Sequence, residues 1–209
     1  MSFTHPILTC KESEQYEIDL LGGDGSKEWE AMTKAGCALG EAVLQDFQEI
    51  APLPESPLIL VLAGKGHNTG DALIASEKIL QHCPKAQINI IFVFSGSKLR
   101  PLTQKCLDNL QRAGGDQVVR ENWHDDKPPF NDPVTYDICI DGLIGMQFTP
   151  PMRSPADSVI DWVNEKTNIR LRAAVDLPSG LGDESAEIAF RADFSYATGI
   201  AKTPLFNSK

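Results

Sequence analysis

The chain has 209 residues, of which 42% are hydrophobic, and its mean hydropathy is -0.20. Its longest apolar runs, 58–63 and 88–94, are far shorter than the roughly 18 residues of a membrane-spanning helix, so the composition excludes membrane and fibrous classes and predicts a soluble globular domain. The net charge of -10 argues against nucleic acids and anionic membranes as partners. Five scattered cysteines and the lack of a secretory signal predict a cytoplasmic protein.

Apolar periodicity predicts alternating helices and strands after a polar leader at 1–25. Ser26 is a candidate N-cap for a helix that ends near Ile50. The apolar run 58–63 predicts a strand buried on both faces, and 64–70 a turn before a helix at 71–82. The later predicted elements are a strand at 88–94, a helix at about 98–113, a short strand at 118–119, an acidic Pro-rich loop at 121–135, a strand at 136–140, a helix at 156–167, a strand at 172–175 and a last candidate strand at 192–197.

This alternation predicts an α/β protein, a three-layer αβα Rossmann-like fold with a mainly parallel sheet. We expect one domain over 1–209, with an N-terminal extension at 1–25 and a core at 26–203. In open parallel sheets ligands bind beyond the carboxyl ends of the strands. The turns that follow the predicted strands are therefore where functional residues should be sought.

Three such turns carry polar residues: 64–71, with the sequence Gly-Lys-Gly-His-Asn-Thr-Gly-Asp, then 141–145 and 176–180. Each has an ordinary structural explanation, since Gly, Asn and Asp are common in turns and at helix starts. Together, however, they bring oxygen-bearing side chains to one sheet edge, where these could bind a cation or transfer a proton. The glycine pattern only loosely matches a dinucleotide-binding fingerprint, and it is not a P-loop.

At these turns the chain resembles the NAD(P)H-hydrate epimerase family, the YjeF N-terminal domain. Three blocks carry the likeness: Val-Leu-Ala-Gly-Lys-Gly-His-Asn-Thr-Gly-Asp at 61–71, Asp-Ile-Cys-Ile-Asp-Gly-Leu-Ile-Gly at 137–145 and Ala-Val-Asp-Leu-Pro-Ser-Gly-Leu at 174–181. The third block is the most specific. With the order and spacing of the blocks, the likeness extends over most of 28–202.

The resemblance implies an αβα enzyme that interconverts the R and S forms of hydrated NADH and NADPH. It implies that Asp176 contacts the substrate and acts as acid and base, and that Asn68, Asp141 and Ser179 hold a potassium ion. The substrate-binding residues that it implies are His67, Asn68, Thr69, Gly70 and Asp71, with Gly145, Met146, Gln147 and Phe148 as a second loop.

The resemblance also implies a homodimer, for which the broad apolar stripe of the first predicted helix is a candidate interface. It further implies a dehydratase domain, fused or separate, so the chain is either an excised part of a bifunctional protein or a protein that stands alone.

Some positions differ from the family pattern Gly-Asn-Asn-Gly-Gly-Asp-Gly. This chain has His67, Thr69 and Ala72 there, and Gly-Met-Gln-Phe at 145–148 where the family has Gly-Thr-Gly-Leu. Because a β-branched Thr69 replaces a glycine that would let backbone approach a phosphate, an alternative is a catalytically altered domain that binds a ligand or dimerises. A third interpretation is an oxidoreductase or nucleotide-binding enzyme with a variant glycine turn.

Overall fold

The computed structural model describes residues 6–94, 99–125, 128–130, 134–185 and 187–207. In these residues helices and strands alternate along the chain, with one short 3-10 helix at Gly115–Gln117 before the third strand. The elements are α1 (Cys10–Leu21), α2 (Gly25–Ile50), β1 (Leu58–Ala63), α3 (His67–His82), β2 (Gln87–Phe92), α4 (Pro101–Gly114), β3 (Val118–Asn122), β4 (Tyr136–Gly142), α5 (Ala156–Glu165), β5 (Ile169–Val175), β6 (Phe194–Tyr196) and α6 (Pro204–Asn207).

The six strands form one sheet in the order β3-β2-β1-β4-β5-β6, and every pair is parallel. β1 lies at the centre, where Val61 is paired with Ile90 of β2 on one side and with Ile140 of β4 on the other. From β1 the chain adds β2 and β3 on one side of the sheet and then crosses to β4 on the other side of β1. This reversal opens a crevice at the carboxyl ends of β1 and β4, the usual ligand position in such sheets.

Two apolar clusters cover the two faces of the sheet, which confirms the predicted three-layer αβα fold. Along β1, Ile59 and Val61 contribute to the cluster that contains α2, α3 and α4, whereas Leu60 and Leu62 contribute to the cluster that contains α5. A strand buried on both faces needs apolar residues at every position. That requirement explains the uninterrupted run at 58–63.

Several predicted boundaries are wrong: β5 begins at Ile169 and not at 172, and the N-cap of α2 is Asp24 and not Ser26. Helix α3 begins at His67, four residues before the predicted start, so the end of the glycine turn is the first helical turn. Glycine has a low helix propensity, but at position 70 it lets α3 pack closely on α2, since a Cβ there would lie 2.7 Å from the sulfur of Met32 and that side chain would have to move. Strand β3 continues to Asn122, into the predicted loop at 121–135. The helix predicted at about 98–113 is α4, which begins at Pro101, and its predicted start, Lys98, lies outside the described residues.

The predicted polar leader contains a helix, α1, that the sequence analysis did not predict. Thr9 and Glu12 form a capping box at its start, and Gly22 ends it in the left-handed conformation with φ 59°. The helix buries only Cys10 and Ser13, so it lacks the apolar stripe on which the prediction relied. The Thr-x-x-Glu spacing at 9–12 was the local signal that could have revealed it.

The apolar stripe of α2, which suggested a dimer interface, lies inside the molecule. Met32, Leu39, Val43 and Phe47 are buried in the cluster shared with α3. The stripe of α2 is therefore not a free interface, and the homodimer that the resemblance implies stays a prediction. In the described part of the chain no helix is both long and apolar enough to cross a membrane, and all five cysteines are free.

Candidate active site

The crevice at the centre of the sheet is lined by the segments that follow β1, β4 and β5. The first is the start of α3, the second begins at Asp141 and the third at Asp176. Close backbone contact joins the first two, since a Cβ on Gly142 would lie 3.0 Å from the carbonyl oxygen of Asn68. The three turns selected from the sequence are thus brought to one edge of the sheet.

Asp141 and Ser179 form a buried hydrogen-bonded unit that joins the second and third segments. The Ser179 hydroxyl donates to Oδ1 of Asp141 at 2.7 Å, and the Ser179 N–H donates to Oδ2 at 2.7 Å. Burial raises the pKa of the Asp141 carboxyl to about 6, although the hydrogen bonds from Ser179 and from the Leu143 N–H act in the opposite direction. Such a carboxylate would be stabilised by a cation.

Asn68 presents its side-chain oxygen to the segment after β4. Its Nδ2 donates to the Val175 carbonyl at 3.1 Å, and a Cβ on Gly145 would lie 3.0 Å from its Oδ1. The described residues hold no cluster of three His, Cys, Asp or Glu side chains suited to a metal. Any cation here would instead depend on amide, hydroxyl and carboxylate oxygens, the donors that hard cations prefer.

Asp176 forms a buried ion pair with Lys202. Nζ of Lys202 lies 2.5 Å from Oδ1 of Asp176, and both side chains are almost completely removed from solvent. The Thr198 N–H also donates to Oδ1, at 3.2 Å, and the Thr198 carbonyl accepts from Nζ at 3.0 Å. Asp176 has φ 65°, a left-handed conformation that is unfavourable for most residues and is enriched at functional sites.

Asp71 is a third buried carboxyl group in this region, after Asp141 and Asp176. Its residue is 8% exposed, and its Oδ1 is buried without a hydrogen-bond partner among the described residues. Burial raises the pKa of Asp71 well above its ordinary value, the negative charges of Asp176 and Glu17 raise it further, and Lys202 opposes them. A buried polar atom without a partner is costly and calls for an explanation.

Thr69 and Gly70, both predicted to bind substrate, are directed toward the protein interior. The Thr69 hydroxyl accepts from the Gly64 N–H at 2.7 Å and donates to the Gly142 carbonyl at 2.8 Å, which links the ends of β1 and β4. The Thr69 side chain thus has a structural role, at a position where the family pattern has glycine. Its assignment to substrate binding stays a prediction.

We expect Thr69→Val to lower the free energy of unfolding by about 1–3 kcal/mol, because a buried N–H and a buried carbonyl lose their partner. Thr69→Ser keeps the hydroxyl and should cost less than Thr69→Val. Urea unfolding followed by circular dichroism measures both variants. If Thr69→Ser, which removes only the methyl group, lowers the free energy of unfolding as much as Thr69→Val, the two hydrogen bonds of the hydroxyl are not the main reason for threonine at this position.

The predicted second loop, 145–148, is closed by a turn in which the Phe148 N–H donates to the Gly145 carbonyl at 3.1 Å. Gln147 lies exposed at its tip, donates to Oε1 of Glu14 in α1 at 2.6 Å and accepts from Arg100 at 3.4 Å. Met146 is partly exposed in the same loop. His67, in the first turn of α3, is exposed.

Sequence reasoning missed two charged residues near Asp176: Lys202, and Glu17 of α1. Lys202 is 0% exposed, and its only local signal is a lone lysine in a segment of small and apolar residues, Ala-Thr-Gly-Ile-Ala-Lys at 197–202. Burial raises the pKa of Glu17, Lys202 lowers it, and Asp176 and Glu14 raise it further. Glu17 therefore lies within the electrostatic reach of the Asp176–Lys202 pair.

Two of the most similar relatives are named NAD(P)H-hydrate epimerase. Those of Elusimicrobium minutum and Rhodopirellula baltica are 28% and 30% identical, over 97% and 94% of this chain and 89% and 76% of the two proteins. A bifunctional NAD(P)H-hydrate repair enzyme Nnr from Gloeobacter violaceus is 32% identical over 84% of this chain. The chain spans 32% of that bifunctional protein.

The fold has a close counterpart among solved structures. The crystal structure of the yeast protein ynu0, YNL200c, matches with a TM-score of 0.77 over 98% of this chain and 84% of that chain, at 18% identity. The family model described as YjeF-related protein N-terminus matches residues 29–203, which include all three segments of the crevice. The chain therefore belongs to the family of YjeF-related protein N-terminal domains.

Proposed function

We propose that this chain is an NAD(P)H-hydrate epimerase, an isomerase that interconverts the R and S forms of hydrated NADH and NADPH. The observation that carries the proposal is the buried Asp176–Lys202 pair at the carboxyl edge of the sheet, in a chain similar to named epimerases over nearly its whole length. A buried carboxyl group at a ligand crevice is a candidate for proton transfer.

The reaction needs only the movement of protons and water. The hydroxyl at C6 of the nicotinamide ring leaves with a donated proton as water, while the lone pair of the ring nitrogen forms a C=N bond. Water then adds to either face of the flat ring, the C=N electron pair returns to nitrogen, and the added water loses a proton. One carboxyl group can donate the first proton and accept the second, and neither an oxidant nor a reductant is required.

In this proposal Asp176 donates and accepts these protons, and Lys202 positions it. The first turn of α3, with His67, Asn68 and Asp71, and the loop at 145–148 contact the substrate. Helix α3 has 16 residues, and the free N–H groups at its start favour an anion such as the pyrophosphate of a dinucleotide.

We further propose that Asn68, Asp141 and Ser179 hold a potassium ion. Their oxygens suit a hard cation, the absence of a side chain on Gly145 leaves room beside the Asn68 oxygen, and the buried Asp141 carboxyl lacks a counter-ion among the described residues. When bound, the ion would offset negative charge beside the anionic substrate.

Potassium is expected to raise the unfolding temperature of the wild-type protein above that in tetramethylammonium chloride of equal ionic strength. An ion at a hundred times its Kd adds about 2.7 kcal/mol to the free energy of unfolding. Asp141→Asn should lose this shift, whereas Asp161→Asn, an exposed change in α5, should keep it. Scanning calorimetry makes the comparison, and an equal potassium shift in Asp141→Asn would contradict the assignment.

The proposed activity is tested with purified R or S hydrated NADH and NADPH, followed by chromatography with and without potassium. Conversion above the spontaneous rate is expected. If the folded protein gives no conversion, the binding or dimerisation module becomes the better interpretation, since His67, Thr69 and the 146–147 segment depart from the family pattern. A bound, absorbing cofactor that persists through purification would instead favour the oxidoreductase.

We also propose a single catalytic domain over 1–209, with its core at 26–203, that acts as a homodimer in the cytoplasm. The free cysteines support a reducing compartment. The bifunctional relatives support a dehydratase as functional partner, either fused or separate.

A further inference from the structure

Four charged side chains from separate segments interact electrostatically; three of them are buried, and the fourth, Glu17, is partly exposed. Glu17 comes from α1, Asp71 from α3, Asp176 from the turn after β5, and Lys202 from the segment before α6. Among these four, three carboxyl groups share one ammonium group, and that ammonium already forms the ion pair with Asp176. The cluster therefore has an excess of acidic groups, which either bind protons or face a positive charge.

Polar contacts at three points hold helix α1 and the residues just before it against the rest of the chain. Asp183 accepts from the Cys10 N–H at 2.7 Å and from the Lys11 N–H at 3.1 Å. The Leu8 N–H donates to the Ala201 carbonyl at 3.1 Å, beside Lys202. The third point is the contact of Glu14 with Gln147, at the tip of the proposed substrate loop. The helix is thus joined to segments on different sides of the crevice.

Helix α1 exposes large apolar side chains to solvent together with polar ones. Tyr16, Ile18 and Leu20 are 46%, 57% and 58% exposed, whereas Ser13 is 1% exposed. Glu17 is only partly exposed, and it interacts with the charged cluster. Since hydrophobic burial does not explain the position of this helix, its inward polar side chains need another role.

The observations fit a ligand group that is positively charged. When the C6 hydroxyl leaves the proposed substrate, the nicotinamide ring becomes an iminium cation, and carboxylates in a buried site stabilise such a charge strongly. We propose that α1 forms part of the ligand site and that Glu17 and Asp71 stabilise a positively charged nicotinamide ring. This inference rests on the proposed function. Proton transfer by Asp176 gives no function to Glu17 or to the unpartnered oxygen of Asp71, and the inference gives both a function.

The proposal predicts proton release when a cationic ring binds. The groups that interact with Asp71 are Glu17, Asp176, Lys202 and Cys106. Because burial raises the pKa of Asp71, its carboxyl group holds a proton in the free protein below that raised pKa, and a bound cation favours its loss. Affinity for a cationic ring should therefore increase as the pH rises toward the raised pKa, by at most about tenfold per pH unit for one proton.

The test uses NADP+ and NADPH, which differ in the charge of the nicotinamide ring. Calorimetric titration at constant potassium concentration should give a Kd for NADP+ about tenfold or more below that for NADPH, since each 1.4 kcal/mol of charge interaction is worth a factor of ten. Glu17→Gln and Asp71→Asn should each reduce this ratio severalfold. The control is Asp19→Asn, which makes the same change of charge at an exposed position of α1.

Equal affinity of the wild-type protein for NADP+ and NADPH, together with measurable epimerisation, would overturn this inference and leave the proposed function intact. If the folded wild-type protein neither binds these nucleotides nor epimerises the hydrated forms, both the further inference and the proposed function are wrong. If Glu17→Gln fails to fold, the wild-type ratio, its pH dependence and Asp71→Asn still decide the matter. A ratio in Glu17→Gln equal to that in Asp19→Asn would remove Glu17 from the site.

Discussion

Replacing Asp176 by asparagine is expected to lower the epimerisation rate by about 10²–10⁴-fold, the usual contribution of a general acid or base. Asparagine has nearly the same shape, and it tolerates the left-handed backbone at φ 65° better than most residues. It cannot donate a carboxyl proton or accept one from the added water. The loss should appear mainly in kcat, since the remaining substrate contacts are retained. Chromatography of the R and S forms measures it.

The matched control is Asp108→Asn, an identical chemical change at an exposed position of α4. Circular dichroism must show that both variants are folded at the assay temperature. A rate within about threefold of wild type in folded Asp176→Asn would exclude Asp176 from proton transfer. Asp71, another buried carboxyl group in the crevice, would then be the next candidate.

Removing the charge of Lys202 should produce the largest loss of stability. Lys202→Met keeps much of the side-chain volume but leaves the Asp176 carboxylate buried without its ammonium partner. Breaking one half of a buried pair typically costs about 3–5 kcal/mol. Denaturant unfolding of Lys202→Met should therefore show this decrease in the free energy of unfolding.

The double variant Asp176→Asn/Lys202→Met separates stability from function. It contains neither buried charge, so it should recover much of the stability lost in Lys202→Met while its epimerisation remains as low as that of Asp176→Asn. For comparison, Lys85→Met breaks the exposed pair with Glu55 and should cost less than about 1 kcal/mol. Similar losses in Lys85→Met and Lys202→Met would contradict the importance assigned to the buried pair.

The meeting of the polar turns was predictable from the sequence because each turn is a short contiguous segment, whereas the roles of their residues stay predictions. Asn68, Asp141 and Ser179 each stand in a turn directly after a buried strand, and parallel strands necessarily bring such turns to one edge. The Asp141–Ser179 contact confirms that two of these turns meet. The direction of each side chain was beyond this reasoning, because Thr69 is directed into the protein interior by contacts with backbone groups of two other segments.

The sequence by itself determined the αβα class and the central strands, because strands buried on both faces need long apolar runs and the helices that cover them need apolar periodicity. Only the tertiary structure decided that α1 contacts Asp183 and Gln147 and that Lys202 pairs with Asp176. Both results depend on contacts between residues far apart in the chain, Leu8 with the segment at 201–203 and Asp176 with Lys202. Local propensity contains no information about such contacts, since a polar helix and a lone lysine are typical of a surface until the fold supplies their buried partners.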